Sequence, residues 1–68
     1  MSNKISEYRK KLNLTQPQLA EKARITSYTI IQRYESGQRI PTVYNAVRIA
    51  KALNATVEEV FPINDKQD

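Results

Sequence analysis

The chain has 68 residues, with 11 Lys and Arg against 7 Asp and Glu, a formal charge of +4, one glycine, and neither His nor Cys. That length holds one domain with a small core, and without Cys or His there are no disulfides and no usual structural zinc site. No apolar run reaches the ~20 residues of a membrane span, and the opening MSNKISEYRKK lacks an apolar signal core, so a soluble, reducing, cytoplasmic setting without a membrane partner is expected.

The pattern predicts five short helices and no strand. Ser2 can cap a first helix over about 3–12, whose Ile5, Tyr8 and Leu12 share one face. Asn13 suits a left-handed stop. Thr15 then caps a second helix over about 16–23. Thr15-Gln16-Pro17-Gln18 reads as a capping box, with Pro17 in the first turn where its missing N–H does no harm. Leu19, Ala20 and Ala23 face inward. A third helix opens at Thr26 or Ser27 and ends at Gly37. Pro41-Thr42 leads into a fourth over about 43–53, with Val43, Ala46, Val47, Ala50 and Leu53 as its expected buried stripe. Thr56 caps a last short helix carrying Val57, Val60 and Phe61, which Pro62 stops. The expected core is Ile5, Leu12, Leu14, Leu19, Ala20, Ile25, Ile31, Val47, Ala50, Leu53, Val57, Val60 and Phe61. The domain is expected to span 1–63, and 64–68 to be a disordered tail.

Charge divides along the chain. Residues 1–51 carry ten basic and three acidic side chains, whereas 52–68 carry one basic and four acidic. A basic body with a pI near 9.6 suits a polyanion such as nucleic acid. The second and third helices, joined by a tight turn, make the unit in which one helix braces on a duplex and the next lies in its groove.

The stretches ISEYRKKLNLTQPQLAEKARIT, YESGQRIPT and VRIAKALNATVEEVF, in that order over about residues 5–61, resemble the lambda-repressor-like (Cro-type, XRE-type) helix-turn-helix family. The resemblance implies an all-α, compact five-helix DNA-binding domain with the helix-turn-helix at its second and third helices. The chain departs from the family pattern in two places: Arg24 stands where the turn usually has glycine, and one extra residue lies between Ile25 and Glu35. If the extra residue falls late, Thr26 is the N-cap and Ile30 the core anchor. If it falls early, Ser27 is the N-cap, Ile31 the anchor, and Tyr34 is buried one turn on. The early register is preferred, because it keeps Ile31, Tyr34 and Glu35 in step with YESG and lets a longer turn replace the missing glycine conformation.

A helix entering the major groove reads bases from its first turn and from one turn later. The candidate base-reading residues are Ser27, Tyr28, Thr29, Gln32 and Arg33, with Tyr28 and Gln32 outward in both registers. Gln32 can pair with adenine N6 and N7, Arg33 with guanine O6 and N7, and Thr29 can offer its methyl to thymine. Tyr28 can stack on a base edge or bond a phosphate. The resemblance places a phosphate contact at Gln16, and Gln38, Arg39 and Tyr44 are further backbone candidates. Lys4, Lys10, Lys11 and Arg24 read more simply as solvated charges. Arg9 and Glu35 match positions that the family commonly joins in a buried salt bridge.

A sequence-specific regulator of double-stranded DNA is therefore expected. It is read as a repressor on a two-fold symmetric operator, acting as a homodimer because one small domain contacts few base pairs. The loop after Gly37 and the last helix, with Phe61, Pro62 and Ile63, are the candidate dimer contacts. The alternatives are a protein-binding transcriptional adaptor, which IIQRYESGQRIP also resembles, or an antitoxin of the same fold; the protein partner is then unknown. An enzyme is not expected. With no His or Cys, a single glycine, and both aspartates at 65 and 68, the chain offers no catalytic set, metal site or cofactor cradle.

Overall fold

The computed structural model describes residues 3–63, so Ser2 and the expected tail at 64–68 lie outside the described residues. Five helices and no strand occur among them: α1 (Ile5–Lys11), α2 (Gln16–Lys22), α3 (Tyr28–Glu35), α4 (Val43–Ala52) and α5 (Val57–Val60). None is long and apolar enough to cross a membrane.

Four of the five start on a hydroxyl cap. Thr15 Oγ1 accepts from Gln18 N at 3.2 Å, and Gln18 Oε1 accepts in return from Thr15 N at 2.8 Å. Thr56 and Glu59 repeat this reciprocal pair at 3.0 and 2.9 Å. Thr42 and Ser27 each accept one N–H from the first turn that follows, at Asn45 and Thr29. Such caps contribute about 1 kcal/mol each by satisfying otherwise orphaned donors. α1 is built differently: its N-cap position, Lys4, makes no side-chain cap. Asn3 Oδ1 accepts from Ile5 N at 3.1 Å, and Lys4 N donates to Val60 O at 2.8 Å, tying the start of α1 to the end of α5.

The four longer helices share one way of ending. Each is followed by a left-handed residue, Asn13 (φ 58°), Arg24 (φ 59°), Gly37 (φ 81°) or Asn54 (φ 56°). In each, that residue's N–H and the next one's fold back on the last turn. For α2, Arg24 N donates to Glu21 O and Ile25 N to Ala20 O, at 3.1 and 2.8 Å. Gly and Asn tolerate this backbone, whereas a long side chain there meets the Cβ clash of roughly 1–2 kcal/mol. The missing turn glycine is thus not replaced by a longer turn, as the sequence suggested; Arg24 itself takes the left-handed conformation. After α1, α2 and α4 the next residue is apolar (Leu14, Ile25, Ala55) and turns back onto the core. After α3 it is the exposed Gln38, and the chain leaves the body.

Each helix gives one fully buried large side chain: Ile5, Leu19, Ile31, Ile49 and Val60. Ala20, Ala23, Ala46, Ala50 and Ala52 let the helices approach closely around them, and Ile25, Tyr34, Leu53 and Phe61 close the edges. Four expected core positions are corrected. Leu12, Val47 and Val57 are 36–37 % exposed, and Val43, expected in the α4 stripe, is 78 % exposed. Apolar residues surround more than half of α4, so periodicity does not single out its inner face. That face centres on Ala46, Ile49 and Leu53, leaving Val43 and Val47 on its flank.

Candidate nucleic-acid interface

The start of α3 settles its register. Ser27 is extended (φ −146°, ψ 139°) and its Oγ accepts from Thr29 N at 3.2 Å, so Ser27 and not Thr26 is the N-cap. Eight residues from Tyr28 to Glu35 follow, and this early register buries Ile31 completely and Tyr34 to 4 % exposure. The opposite side carries Tyr28, Gln32 and Arg33, all exposed, with Thr29 half-buried beside them. Tyr28 and Gln32 lie four residues apart, one turn along a single stripe. The apolar anchors and the polar stripe are thus two faces of one rigid two-turn helix. Ser27 is exposed, with its hydroxyl oxygen occupied by the cap.

A charged knot holds the end of α3 against the start of α2. Arg9 Nε donates to Glu35 Oε2 at 2.7 Å, and Arg9 Nη2 to Glu35 Oε1 at 3.2 Å. Arg9 Nη1 donates to the Leu14 carbonyl at 2.8 Å, which fixes the α1–α2 turn. The pair is largely shielded, with side chains 13 % and 11 % exposed. Gln16 Nε2 donates to Glu35 Oε1 at 3.1 Å. Gln16, expected at a phosphate, is therefore half-buried and held by a carboxylate with one amide N–H still uncommitted.

Gln38 and Arg39 are both exposed in the loop after α3. Their backbone N–H groups both go to the Arg33 carbonyl, at 2.9 and 3.3 Å, which pins the loop and leaves its side chains in solvent. Tyr44, the second residue of α4, is 78 % exposed. Two residues not foreseen from the sequence brace this end of the molecule. Asn45 Nδ2 donates to the Tyr34 hydroxyl at 2.9 Å, and Asn3 Nδ2 donates to the Tyr34 carbonyl at 2.7 Å. Asn45 looks like a plain first-turn residue of a capped helix, and only tertiary packing brings it to Tyr34.

The loop after Gly37 and the end of α5 meet across α4. Ile40, Val43, Val47, Val57, Phe61 and Ile63 line an apolar groove of about 300 Å³. Of the three residues expected as dimer contacts, Ile63 is 74 % exposed and Pro62 is exposed, while Phe61 is 5 % exposed and belongs to the groove floor.

Known proteins agree with this architecture. A helix-turn-helix family model matches residues 5–60, almost the whole described body. The cryptic phage CTXphi transcriptional repressor RstR of Vibrio cholerae is 38% identical over 60 residues, covering 88% of this chain and 53% of the repressor, so the chain spans about half the length of that relative. An uncharacterized HTH-type transcriptional regulator of Methanothermobacter thermautotrophicus is 41% identical over 66 residues, 96% of this chain and 94% of the relative. One from Methanocaldococcus jannaschii is 37% identical over 67 residues, 98% of this chain and the whole of the relative. With a match of that extent, the chain belongs to the XRE-type helix-turn-helix family of DNA-binding transcriptional regulators.

Proposed function

We propose that the protein is a sequence-specific regulator, acting as a repressor, that binds a two-fold symmetric operator in double-stranded DNA as a homodimer. The observation that carries this reading is the two-faced α3: Ile31 and Tyr34 lock it to the body while Tyr28, Gln32 and Arg33 stand free on the other side. Placed in a major groove, Gln32 pairs with an adenine and Arg33 with a guanine, each contributing ~1–3 kcal/mol of discrimination. Thr29 and Ser27 line the first turn near the bases, and Tyr28 reaches a base edge or a phosphate. Gln16, Gln38, Arg39 and Tyr44 set the register on the sugar–phosphate backbone, Gln16 through its second amide N–H. The repressor role is supported by the name of the phage relative. The cytoplasm is the compartment we assign to it.

Two copies are needed because one domain of this size covers a single half-site. The apolar groove between Ile40, Val43, Val47 and Ile63 is the surface assigned to the dimer, with Phe61 beneath it and exposed Pro62 next to both in the chain. No enzymatic step is proposed, and no cofactor is assigned. Gel shifts over a genomic fragment library, in excess competitor DNA and at low salt, test the reading. A competitor-resistant complex on a few fragments is expected; none on any fragment leaves the adaptor reading in its place.

A further inference from the structure

Beyond the face at α3, the C-terminal ends of α2 and α4 flank a shallow, open cleft of about 260 Å³ with Ala23 and Ala52 on its floor. Its rim is Lys22, Arg24, Arg48 and Lys51, four exposed cations without an acidic side chain among them. Among the described residues the ion pair is Arg9–Glu35, so none of these four cations is salt-bridged to a carboxylate of the described body, the nearest acidic residue in the chain being exposed Glu21 beside Lys22. One of the four, Arg24, holds a left-handed backbone that glycine would adopt without a clash. A strained residue that contributes a charge to a cleft is a pointer toward use of that charge. Part of the positive charge on Lys22 and Lys51 complements the negative ends of α2 and α4, in whose last turns they lie. That accounts for neither Arg48, in mid-helix, nor the strain at Arg24.

We infer that this cleft is a second DNA site, which takes the phosphate backbone of a duplex other than the one assigned to α3. Cations stand on both sides of an open cleft, two from the end of α2 and two from α4, as a continuous polyanion requires. Two arginine forks suit phosphate oxygens. The floor offers only two alanines, too little for the apolar anchors that an acidic peptide uses. On the two helices that form the cleft, the backbone candidates Gln16 and Tyr44 lie in the first turns, whereas the cleft lies at the opposite ends of α2 and α4. A duplex there can be gathered alongside the first. The site stands on the cleft alone and does not need base reading at α3.

The test is a ¹⁵N amide titration of the full chain with a short random-sequence duplex at low salt. The expected result is two phases: α3 amides shift with the first equivalents, and Ala23, Arg24 and Ala52 amides shift with a later one. In the Lys22→Gln/Arg48→Gln variant the later phase disappears and the first is unchanged, the dispersed spectrum reporting an intact fold. Single substitutions should flatten the log–log salt dependence of the later phase by about 0.9 each. Cleft amides that stay still, that move together with α3, or that respond to poly-glutamate and not to duplex overturn the proposal. Loss of the α3 phase alone sinks base reading and leaves the cleft standing.

Discussion

Arg9 and Glu35 join the first helix to the end of the third through two N–H donors, at 2.7 and 3.2 Å, in a setting only 11–13 % open to solvent. The same carboxylate holds Gln16, and the same guanidinium holds the Leu14 carbonyl. Four segments thus depend on one ion pair. Glu35→Ala strands the Arg9 charge and is expected to cost about 3 kcal/mol in urea unfolding, near the low end for a buried pair because some solvent reaches it. Arg9→Met/Glu35→Leu should recover more than half of that loss. A Glu35→Ala loss under ~1 kcal/mol would show an ordinary surface pair.

Arg24 offers a gain where most substitutions lose. Arg24→Gly relieves a left-handed backbone at φ 59° and is expected to stabilise the fold by about 0.5–1 kcal/mol, the looser unfolded chain offsetting part of the relief. Gly37→Ala imposes the same clash at φ 81° and should cost about 1 kcal/mol. Both are read from denaturant midpoints at constant slope.

Tyr34 is a core residue whose hydroxyl is used. Tyr34→Phe keeps the ring and removes the acceptor for Asn45 Nδ2. The expected loss is ~0.5–1.5 kcal/mol, since Asn45 is only half-buried and can turn to water. Equal losses in Asn45→Ala and in the double variant would show that the bond, and not packing, is being measured.

Val43 and Val47 belong to a surface and not to the core, which makes a clean test of self-association possible. Val43→Asp, at a position 78 % exposed, is expected to leave the thermal midpoint of the monomer unchanged. Sedimentation should show the dimer population falling at least tenfold, as a charge enters an apolar contact. An unchanged dimer places the interface elsewhere.

The two sets of residues proposed to contact DNA should fail differently. Gln32→Ala is expected to weaken operator binding by ~1–3 kcal/mol and to relax one base position. Arg39→Ala should weaken every sequence alike and flatten the log–log salt slope by about 0.9. Identical behaviour of the two would abolish the division between reading and positioning.

Much of this was legible in the chain because local chemistry and tertiary demand coincide there. Thr15 with Gln18, the cap at Thr56, and the helix stops at Asn13 and Gly37 are short-range signals that packing leaves alone. Spacing left the α3 register open between Thr26 and Ser27 and only favoured Ser27, the cap that the structure shows together with buried Ile31 and Tyr34. The choice of face on α4 was not legible, because Val43, Val47 and Ile49 are equally apolar and only tertiary packing, against both α2 and α5, distinguishes them. Nor was the backbone of Arg24, where the closing of the helix end prevails over the residue's own preference. The hold of Glu35 on Gln16 joins residues 19 apart in sequence and belongs to the tertiary fold alone.

Selection of bound duplexes from a random-sequence pool probes base reading by α3 most directly, performed side by side with the native chain and Gln32→Ala. A two-fold symmetric consensus is expected, its half-sites about one helical turn apart, with one position in each half losing its preference in the variant. A pool that shows no enrichment, or a consensus that Gln32→Ala leaves untouched at every position, contradicts it.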